Sequence, residues 1–335
     1  MDHKMKISVL ISVYNGEQFV DQCFKKLMQQ TFSDFEVLIF NDRSNDQTLT
    51  LLHRWCEQYP ERIRVFDSKL GENLGPGGGK GYLIQYVNTE YITFLDIDDY
   101  FDLDYLEQFY RERGDADIII SGYRKVDQNG VTLFERHRKN AEQALSQSFF
   151  NWCKLYKTCF LIENKLEIPS GRIFDDVIFH SFIFLSKPKC KYIDNCGYNY
   201  VFNKCSVSNT YLKSFVEGAL SKEMDCFIDA KKRFINTDQQ AQFFYFFWRC
   251  ICWHFLKSGS HVGKHNMLNE YHIFDDKIQD IPEFLNCKKI AAPKYERPIL
   301  KFVVNIILLL YKMHLLKWFL TIYARLDLSR LWPNG

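Results

Sequence analysis

Over the first hundred residues, short β-branched runs alternate with segments whose apolar residues recur at helical spacing, and few folds accept that order. KISVLISVY, residues 6–14, is the first run. The next segment sets Phe19, Val20, Cys23, Phe24, Leu27 and Met28 on one helical face. The pair then recurs: FEVLIF (35–40) precedes Leu49, Leu52 and Cys56, and IRVF precedes Tyr82, Leu83, Tyr86 and Val87, before YITFLDI closes the series. Such β-α-β-α order predicts an α/β fold with a mostly parallel sheet covered by helices on both faces. In open sheets of this kind ligands lie beyond the carboxyl ends of the strands. YNGE, NDRSND and DIDD, which follow three of the strands, therefore share one address.

Hydrophobic residues make up 47% of the 335-residue chain and charged residues 25%, which is globular composition and excludes a disordered chain. The net charge of +2 comes with no dense basic block interleaved with aromatics, so nucleic acid is excluded as a partner. The 11 cysteines are scattered, and no CxxC pair finds a second pair or a CxxH partner. Reduced thiols in a cytoplasmic compartment are expected, and no zinc module. The opening apolar run alternates with polar residues and lacks a cleavage site, so it reads as a first strand and not as a leader.

Further along, ADIIISGYRKVDQNG (116–130) predicts one more strand ending in a turn at Asn129-Gly130. From about Tyr211 strand signals stop, and aromatic-rich helical sequence such as QFFYFFWRCICWHF (242–255) takes over. Two domains follow, residues 1–210 and a helical region 211–335. The most apolar segment, LKFVVNIILLLYKMHLLKWFLTIYARL (300–326), is interrupted by Lys312, His314 and Lys317, and its central block is too short to span a bilayer. Lys301, Asn305 and Lys312 fall on one helical face, whereas His314, Lys317, Thr321 and Arg325 fall on another nearly opposite. Two helices or a kink are expected there, not one straight helix. From Cys287 onward nine basic residues, including Lys288, Lys289 and Arg330, face only Glu296 and Asp327. That surplus suits an anionic membrane surface; a core helix pair with solvated lysines is the other reading.

The glycine-rich GPGGGKG (75–81) is not a P-loop, because Leu74 and Gly81 stand where glycine and a hydroxyl residue are needed. It is not a dinucleotide fingerprint either, since it follows the third strand. It reads as a flexible or helix-opening loop, with Lys80 either a point charge for a phosphate or a solvated helix-start lysine. In YITFLDIDDYF (91–101), Asp96 and Asp98 flank Ile97 and would point the same way in extended structure. Like charges so placed repel unless a cation compensates, and hard divalent cations take carboxylates together with phosphate oxygens. A solvated turn or helix cap is the plainer alternative. In NDRSND, Ser44, Asn45 and Asp46 read as helix caps before QTLTLL, which leaves Asp42 to accept hydrogen bonds from a base or ribose. In RIFDDVIFH (172–180), Asp175 and Asp176 open a helix-like segment. The helix dipole favours acids there, and a general base across the crevice is the sharper reading.

The order of these motifs resembles the family 2 glycosyltransferases of the GT-A fold. Residues 7–48 look like that family's first βαβ unit, ENLGPGGGKGYLIQYVNTEYITFLDIDDYF like its loop, helix and DxD strand, and NWCKLYKTCFLIENKLEIPSGRIFDDVIFHSFIFL like its acceptor-side segment. The resemblance covers roughly residues 5–210, with a nucleotide-sugar half to about 115 and an acceptor half beyond. It implies an inverting transfer of a hexosyl or N-acetylhexosaminyl group from a UDP-sugar to a glycan hydroxyl, with Mn²⁺ or Mg²⁺. Val13, Tyr14, Glu17, Asp42, Lys80 and Asp96 would bind the donor, and Asp98, with Asp96 beside it, the metal. Asp176, or alternatively Asp175, would be the base, and Trp152, Lys154 and Asp99 would lie on the acceptor side. Three departures stand out: Ser12 replaces the usual proline, Gly79-Lys80-Gly81 replaces Ala-Arg-Asn, and YNYVFNKCSVS (198–208) lacks the usual arginines. The implied setting is bacterial surface polysaccharide, capsule or lipooligosaccharide synthesis, with the chain cytoplasmic and peripheral on the inner membrane face. A nucleotidyltransferase with a related sheet, and an inactive carbohydrate-binding relative, are the alternatives.

Overall fold

The computed structural model describes residues 5–68, 73–170, 174–203, 218–234, 237–258, 263–285 and 290–325. The chain divides into two compact units, Met1–Phe202 and Asn203–Gly335. Of the expectations above, those on Arg172, residues 204–208, Lys288, Lys289, Asp327 and Arg330 lie outside the described residues.

In the first unit β1 (Ile7–Val13), β2 (Phe35–Asn41), β3 (Ile63–Asp67) and β4 (Tyr91–Phe94) alternate with helices α1 (Glu17–Met28), α2 (Thr48–Gln58) and α3 (Gly75–Ile84). β5 (Tyr100–Phe101) and α4 (Tyr105–Glu112) follow, then β6 (Ile118–Ser121), β7 (Tyr123–Val126) and β8 (Thr132–Arg136). α5 (Ala141–Gln147), β9 (Lys154–Lys157), α6 (Thr158–Glu163), α7 (Asp175–Leu185), β10 (Cys190–Ile193) and β11 (Tyr198–Val201) complete it. The larger sheet has the order β10-β6-β9-β4-β1-β2-β3. It is parallel except at β9, which runs antiparallel to both β4 and β6. β1 and β2 are buried nearly throughout, which is why they read as continuous apolar runs. α1 buries Val20, Cys23, Phe24 and Leu27, the stripe its spacing predicts.

Two expected elements differ. The predicted strand over 116–130 is two strands in two sheets: β6 belongs to the large sheet, and β7 to a four-stranded sheet of order β5-β11-β7-β8. The change occurs at Gly122, where a Cβ would lie 2.5 Å from the Arg136 carbonyl oxygen and 2.8 Å from Cys196 Sγ. Only glycine fits so close an approach. The turn at its end does form, with the Gly130 N–H donating to the Asp127 carbonyl.

The second difference is GPGGGKG, which is helical from Gly75 and not a loop. Glycine is a poor helix former, and contact with neighbouring elements overrides that preference. A Cβ on Gly77 would sit 2.5 Å from Asp175 Cγ, one on Gly79 2.8 Å from Phe40 and 2.9 Å from Ser12 Cβ, and one on Gly81 2.7 Å from the Ile168 carbonyl oxygen. α3 therefore lies on β1, β2 and the start of α7 at backbone distance. The serine that replaces the family's proline, Ser12, is one of the groups it rests on.

The second unit is helical where described: α8 (Ala219–Phe234), α9 (Gln240–Trp253), α10 (Gly263–Gln279), α11 (Pro282–Leu285), α12 (Pro298–Lys312) and α13 (Leu316–Tyr323). α9 is buried from Phe243 to Cys252 and continues into a π-helical turn, His254–Ser258. Burial opposes a charge on His254, yet Glu223 and Glu270 outweigh it and push its pKa up to about 9. The two helices expected in place of one at the apolar end are present, separated at His314, whose φ of 59° is left-handed.

At an open helical position alanine stabilises by about 1 kcal/mol over glycine. In α3 the sign reverses: Gly79→Ala is expected to cost about 1–3 kcal/mol through overpacking, read as a lowered denaturant midpoint. A midpoint at or above wild type would show that the approach to Ser12 and Phe40 does not hold α3.

Candidate active site

The loops after β1 and β2 are joined by hydrogen bonds. The Asn15 N–H donates to Ser44 Oγ at 2.9 Å and the Asn45 N–H to Asn15 Oδ1 at 2.9 Å. The Gly16 N–H donates to Thr48 Oγ1 at 2.9 Å. Glu17, expected at the donor, accepts from the Gln47 N–H at 2.8 Å while its own N–H donates to Asp46. These bonds correct the capping expectation: the α2 cap position is Gln47, Asp46 accepts from the Thr48 N–H, and Ser44 and Asn45 serve the neighbouring loop. A Cβ on Gly16 would lie 3.5 Å from Ile97, which puts the aspartate turn beside them. The three polar loops do converge at the carboxyl end of the sheet.

Val13 is buried, and its carbonyl accepts from the Asp42 N–H at 2.8 Å, whereas Tyr14 is 56% exposed. The Asp42 carboxylate is buried and accepts from the Leu74 and Gly75 N–H groups at 2.9 and 2.8 Å. It holds the start of α3, where unpaired helix donors need an acceptor. Burial raises its pKa despite those bonds. Asp42 therefore anchors the glycine helix, and any contact with a base has to use its remaining lone pairs.

β4 stops at Phe94, and residues 96–99 form a turn in which the Asp99 N–H donates to the Asp96 carbonyl at 3.0 Å. The same-side extended pair expected for Asp96 and Asp98 is thereby corrected, because the chain bends before the period of two can continue. Asp96 pairs instead with Lys80, which α3 carries in from the far side and which is only 2% exposed. Lys80 is thus a buried counter-charge and not a solvated helix-start lysine. Asp98 has no ion-pair partner among the described residues. Burial first, then the charge of Asp96, pushes its pKa up to about 6. An all-oxygen pair carrying one uncompensated charge suits a hard divalent cation that completes its shell with diphosphate oxygens.

Asp99 does not face this space. It is buried and accepts from the Tyr198 hydroxyl at 2.7 Å and the Val201 N–H at 2.8 Å, and its pKa is raised by burial and by Asp98 and Asp96. Tyr198 also accepts at 3.4 Å from the Asp96 N–H, so one hydroxyl ties both ends of the turn to β11. The sequence reading gave Tyr198 no role; the only signal was an aromatic in a segment short of arginines. Trp152 stacks on Tyr198 at 4.7 Å and on Tyr200 at 5.7 Å, and the aspartates help push the Tyr200 hydroxyl up to about 12, after burial. An aromatic surface therefore borders the turn. Lys154 lies beneath it, sealed from solvent, and its ammonium donates to the carbonyls of Ser148 and Phe150. Burial lowers its pKa to about 7. It fixes the loop that carries Trp152 and does not reach the surface itself.

Asp175 and Asp176 open α7. Asp175 packs on the α3 backbone at Gly77 and accepts from the Asp176 N–H at 2.8 Å, while Asp176 accepts from the Val177 N–H at 2.8 Å. Burial raises both pKa values, and the charge of Asp175 raises Asp176 further. Asp96 and Lys80 act on both groups, so the two acidic clusters share one electrostatic site. Among the described residues, the one Cys/His/acid group with converging donor atoms is Glu135, His137 and Cys196. It belongs to the β8 end of the smaller sheet, where His137 bridges Asp194 and Glu135.

A poly(ribitol-phosphate) β-glucosyltransferase of Bacillus spizizenii is 28% identical over 209 residues, which are 60% of this chain and 33% of that protein. The matched region thus spans a third of the relative's length. The structure of S. aureus TarS 1-349 in complex with UDP-GlcNAc superposes with a TM-score of 0.66 at 20% identity, covering 96% of this chain and 92% of that one. The Pyrobaculum calidifontis mannosyltransferase PcManGT in complex with GDP-Man and Mn²⁺ gives 0.53 at 13% identity, covering 99% and 88%. The profile of Glycosyl transferase family 2 matches residues 8–180, more than half of the chain. With that match and the shared sheet, the chain belongs to glycosyl transferase family 2 and has the GT-A fold.

Proposed function

We propose that this chain is an inverting, metal-dependent glycosyltransferase that moves a hexosyl or N-acetylhexosaminyl group from a UDP-sugar to a glycan hydroxyl. The observation that carries the reading is the meeting of Asp96, Asp98 and buried Lys80 with the Asp175-Asp176 pair around the glycine face of α3. UDP as the donor nucleotide is supported by the TarS complex, and Mn²⁺ or Mg²⁺ by the PcManGT complex and the all-oxygen donor set. Relatives named as poly(ribitol-phosphate) β-glucosyltransferase and β-N-acetylglucosaminyltransferase support a polymer acceptor, which we take to be a surface polysaccharide, capsule or lipid-linked glycan. Such an acceptor would place the chain on the inner membrane face.

Val13, Tyr14, Glu17 and Asp42 would frame the nucleoside, and Lys80 would turn from Asp96 toward the diphosphate. A cation held by Asp98, with Asp96 beside it, supplies positive charge for the diphosphate leaving group. Trp152, half-buried beside the turn, would border the acceptor side. Asp176 is preferred over Asp175 as base because Asp175 is packed against Gly77. It would take the acceptor hydroxyl proton as that oxygen attacks the anomeric carbon opposite the leaving group. One in-line displacement without a glycosyl-enzyme gives inversion.

Asp98→Asn removes a half-buried charge that Asp96 opposes. The folded pKa of about 6 lies above the unfolded value of 3.8, so the charge weakens the fold fully above pH 6 and not below about pH 4. The variant is therefore expected to gain about 1 kcal/mol above pH 6 by thermal denaturation, discounted for partial exposure, while losing Mn²⁺-dependent transfer. Near-normal turnover would sink the metal assignment.

Asp176→Asn is expected to keep UDP binding by calorimetry and to lose at least about 10³-fold in kcat, in the upper range for a general base. The raised pKa of the Asp175-Asp176 pair puts the acid limb of wild-type kcat/KM above the ordinary carboxylate range, because the base works only when ionised. If Asp175→Asn is the dead variant, the base is its neighbour. A panel of UDP- and GDP-sugars scored for nucleotide release tests the donor, and the absence of turnover with all of them would favour an inactive carbohydrate-binding relative.

A further inference from the structure

The second unit carries an apolar face that its own core does not use. In α12 the residues Val304, Ile307, Leu308 and Tyr311 are buried. At about 100° per residue, Ile299, Phe302, Ile306, Leu309 and Met313 fall within an arc on the opposite side, and all five are exposed. Their spacing of three, four, three and four residues makes one continuous stripe. α13 repeats the pattern. Leu316, Leu320 and Tyr323 are buried, while Leu315, Trp318 and Ile322 are exposed, Trp318 at 69%.

Charge selects what covers this face. Residues 298–325 contain Lys301, Lys312, Lys317 and Arg325, together with His314, and no Asp or Glu. On the helical wheel Lys301 and Lys312 fall on the flank between the two apolar arcs of α12, and Lys317 holds the same flank of α13. A facing copy of this chain would bring cations against cations. A bilayer with anionic headgroups would take the apolar stripe into its acyl boundary and the flanking lysines at its phosphates. Long cationic side chains at the edge of a buried stripe reach outward to that level, and a tryptophan is favoured there. No helix among the described residues is long and apolar enough to cross a membrane, so the mode is docking in the plane of the interface.

We infer that the exposed faces of α12 and α13 form an in-plane docking surface for an anionic phospholipid bilayer, with the stripe from Ile299 to Met313 and Trp318 as its inserted part. The surface deepens the proposed reading of a lipid-linked or membrane-bound acceptor and rests on it for its purpose, though not for its test. His314, in the left-handed region, ends α12 before α13 begins. A straight continuation would carry Lys317 and Arg325 onto a different face from Lys301 and Lys312.

The test is vesicle flotation of the full chain, with phosphatidylcholine alone or with about one third phosphatidylglycerol, together with Trp fluorescence. Wild type is expected to float with the anionic vesicles and to show a blue shift. The double variant Phe302→Ser, Trp318→Ser is expected to lose about tenfold or more in partition, and Lys301→Gln, Lys312→Gln, Lys317→Gln to lose the preference for anionic lipid. Far-UV circular dichroism and UDP release from donor in solution, which need no membrane, are expected to stay at wild-type levels and would show that the variants fold. Binding that survives the double serine variant would overturn the apolar docking. Absence of vesicle binding by a wild type that forms dimers in light scattering would assign the face to self-association. Failure of vesicle binding with donor turnover intact would remove this inference and leave the glycosyltransferase reading standing; loss of turnover alone would do the reverse.

Discussion

Helix α3 lies on the sheet at a distance that admits no side chain, and the candidate site is assembled by that approach. Gly79 meets Ser12 and Phe40, Gly77 meets Asp175, and Gly81 meets the Ile168 carbonyl. Held so close, α3 delivers Lys80 into a buried position against Asp96 and gives the Asp175-Asp176 pair a backbone to rest on. Asp42 secures the same helix from its first turn. Without that approach the carboxylates at the strand end and at the α7 start would be two separate acidic surfaces. With it they share a field in which each raises the cost of charging the next.

The site is built of acids that the fold makes unfavourable, offset at Asp96 by the buried Lys80. Asp98 has no ion-pair partner among the described residues, and its pKa, like that of Asp176, is raised by burial and by a neighbouring carboxylate. Functional sites often hold such unresolved charge. Asp99 looks similar in sequence but has left the group: Tyr198 and the Val201 N–H satisfy it, so it braces the turn from below. Adjacent aspartates thus differ: Asp99 is held by β11, and Asp98 is not among its partners.

Much of the fold was legible because its signals are local. The apolar runs of β1 and β2, the stripe of α1 and the break between α12 and α13 follow from periodicity and the directions of charged residues, and the structure has each of them. The convergence of the loops followed from the sheet rule alone. What escaped depends on contacts distant in sequence. The helical spacing that begins at Tyr82 does not reach back into GPGGGKG, because glycine opposes helix locally and only Ser12, Phe40, Ile168 and Asp175 make it favourable. The end of β4 at Phe94 and the sheet change at Gly122 are likewise set by what lies across from them. Lys154 reads as a surface lysine beside Trp152, and only the closed loop from Ser148 to Phe150 makes it an internal tie. The residues proposed for donor, metal and base rest on the family's motif order.

The change of sheet at Gly122 also bears on how such a chain can diversify. Beyond it, β7 and β8 form a hairpin whose outer strand pairs with β7 alone. The exposed residues of β8 and the turn at Asp127–Gly130 lie at the free edge, where insertions and altered lengths are tolerated best. Gly122 marks the point where the backbone leaves the large sheet, and the outer edge of β8 with its turn can vary without touching the pairing of β1 and β4 that precedes the aspartate turn. Changes of length and composition can therefore be accepted at one margin of the molecule while the strands that carry the candidate site stay in place.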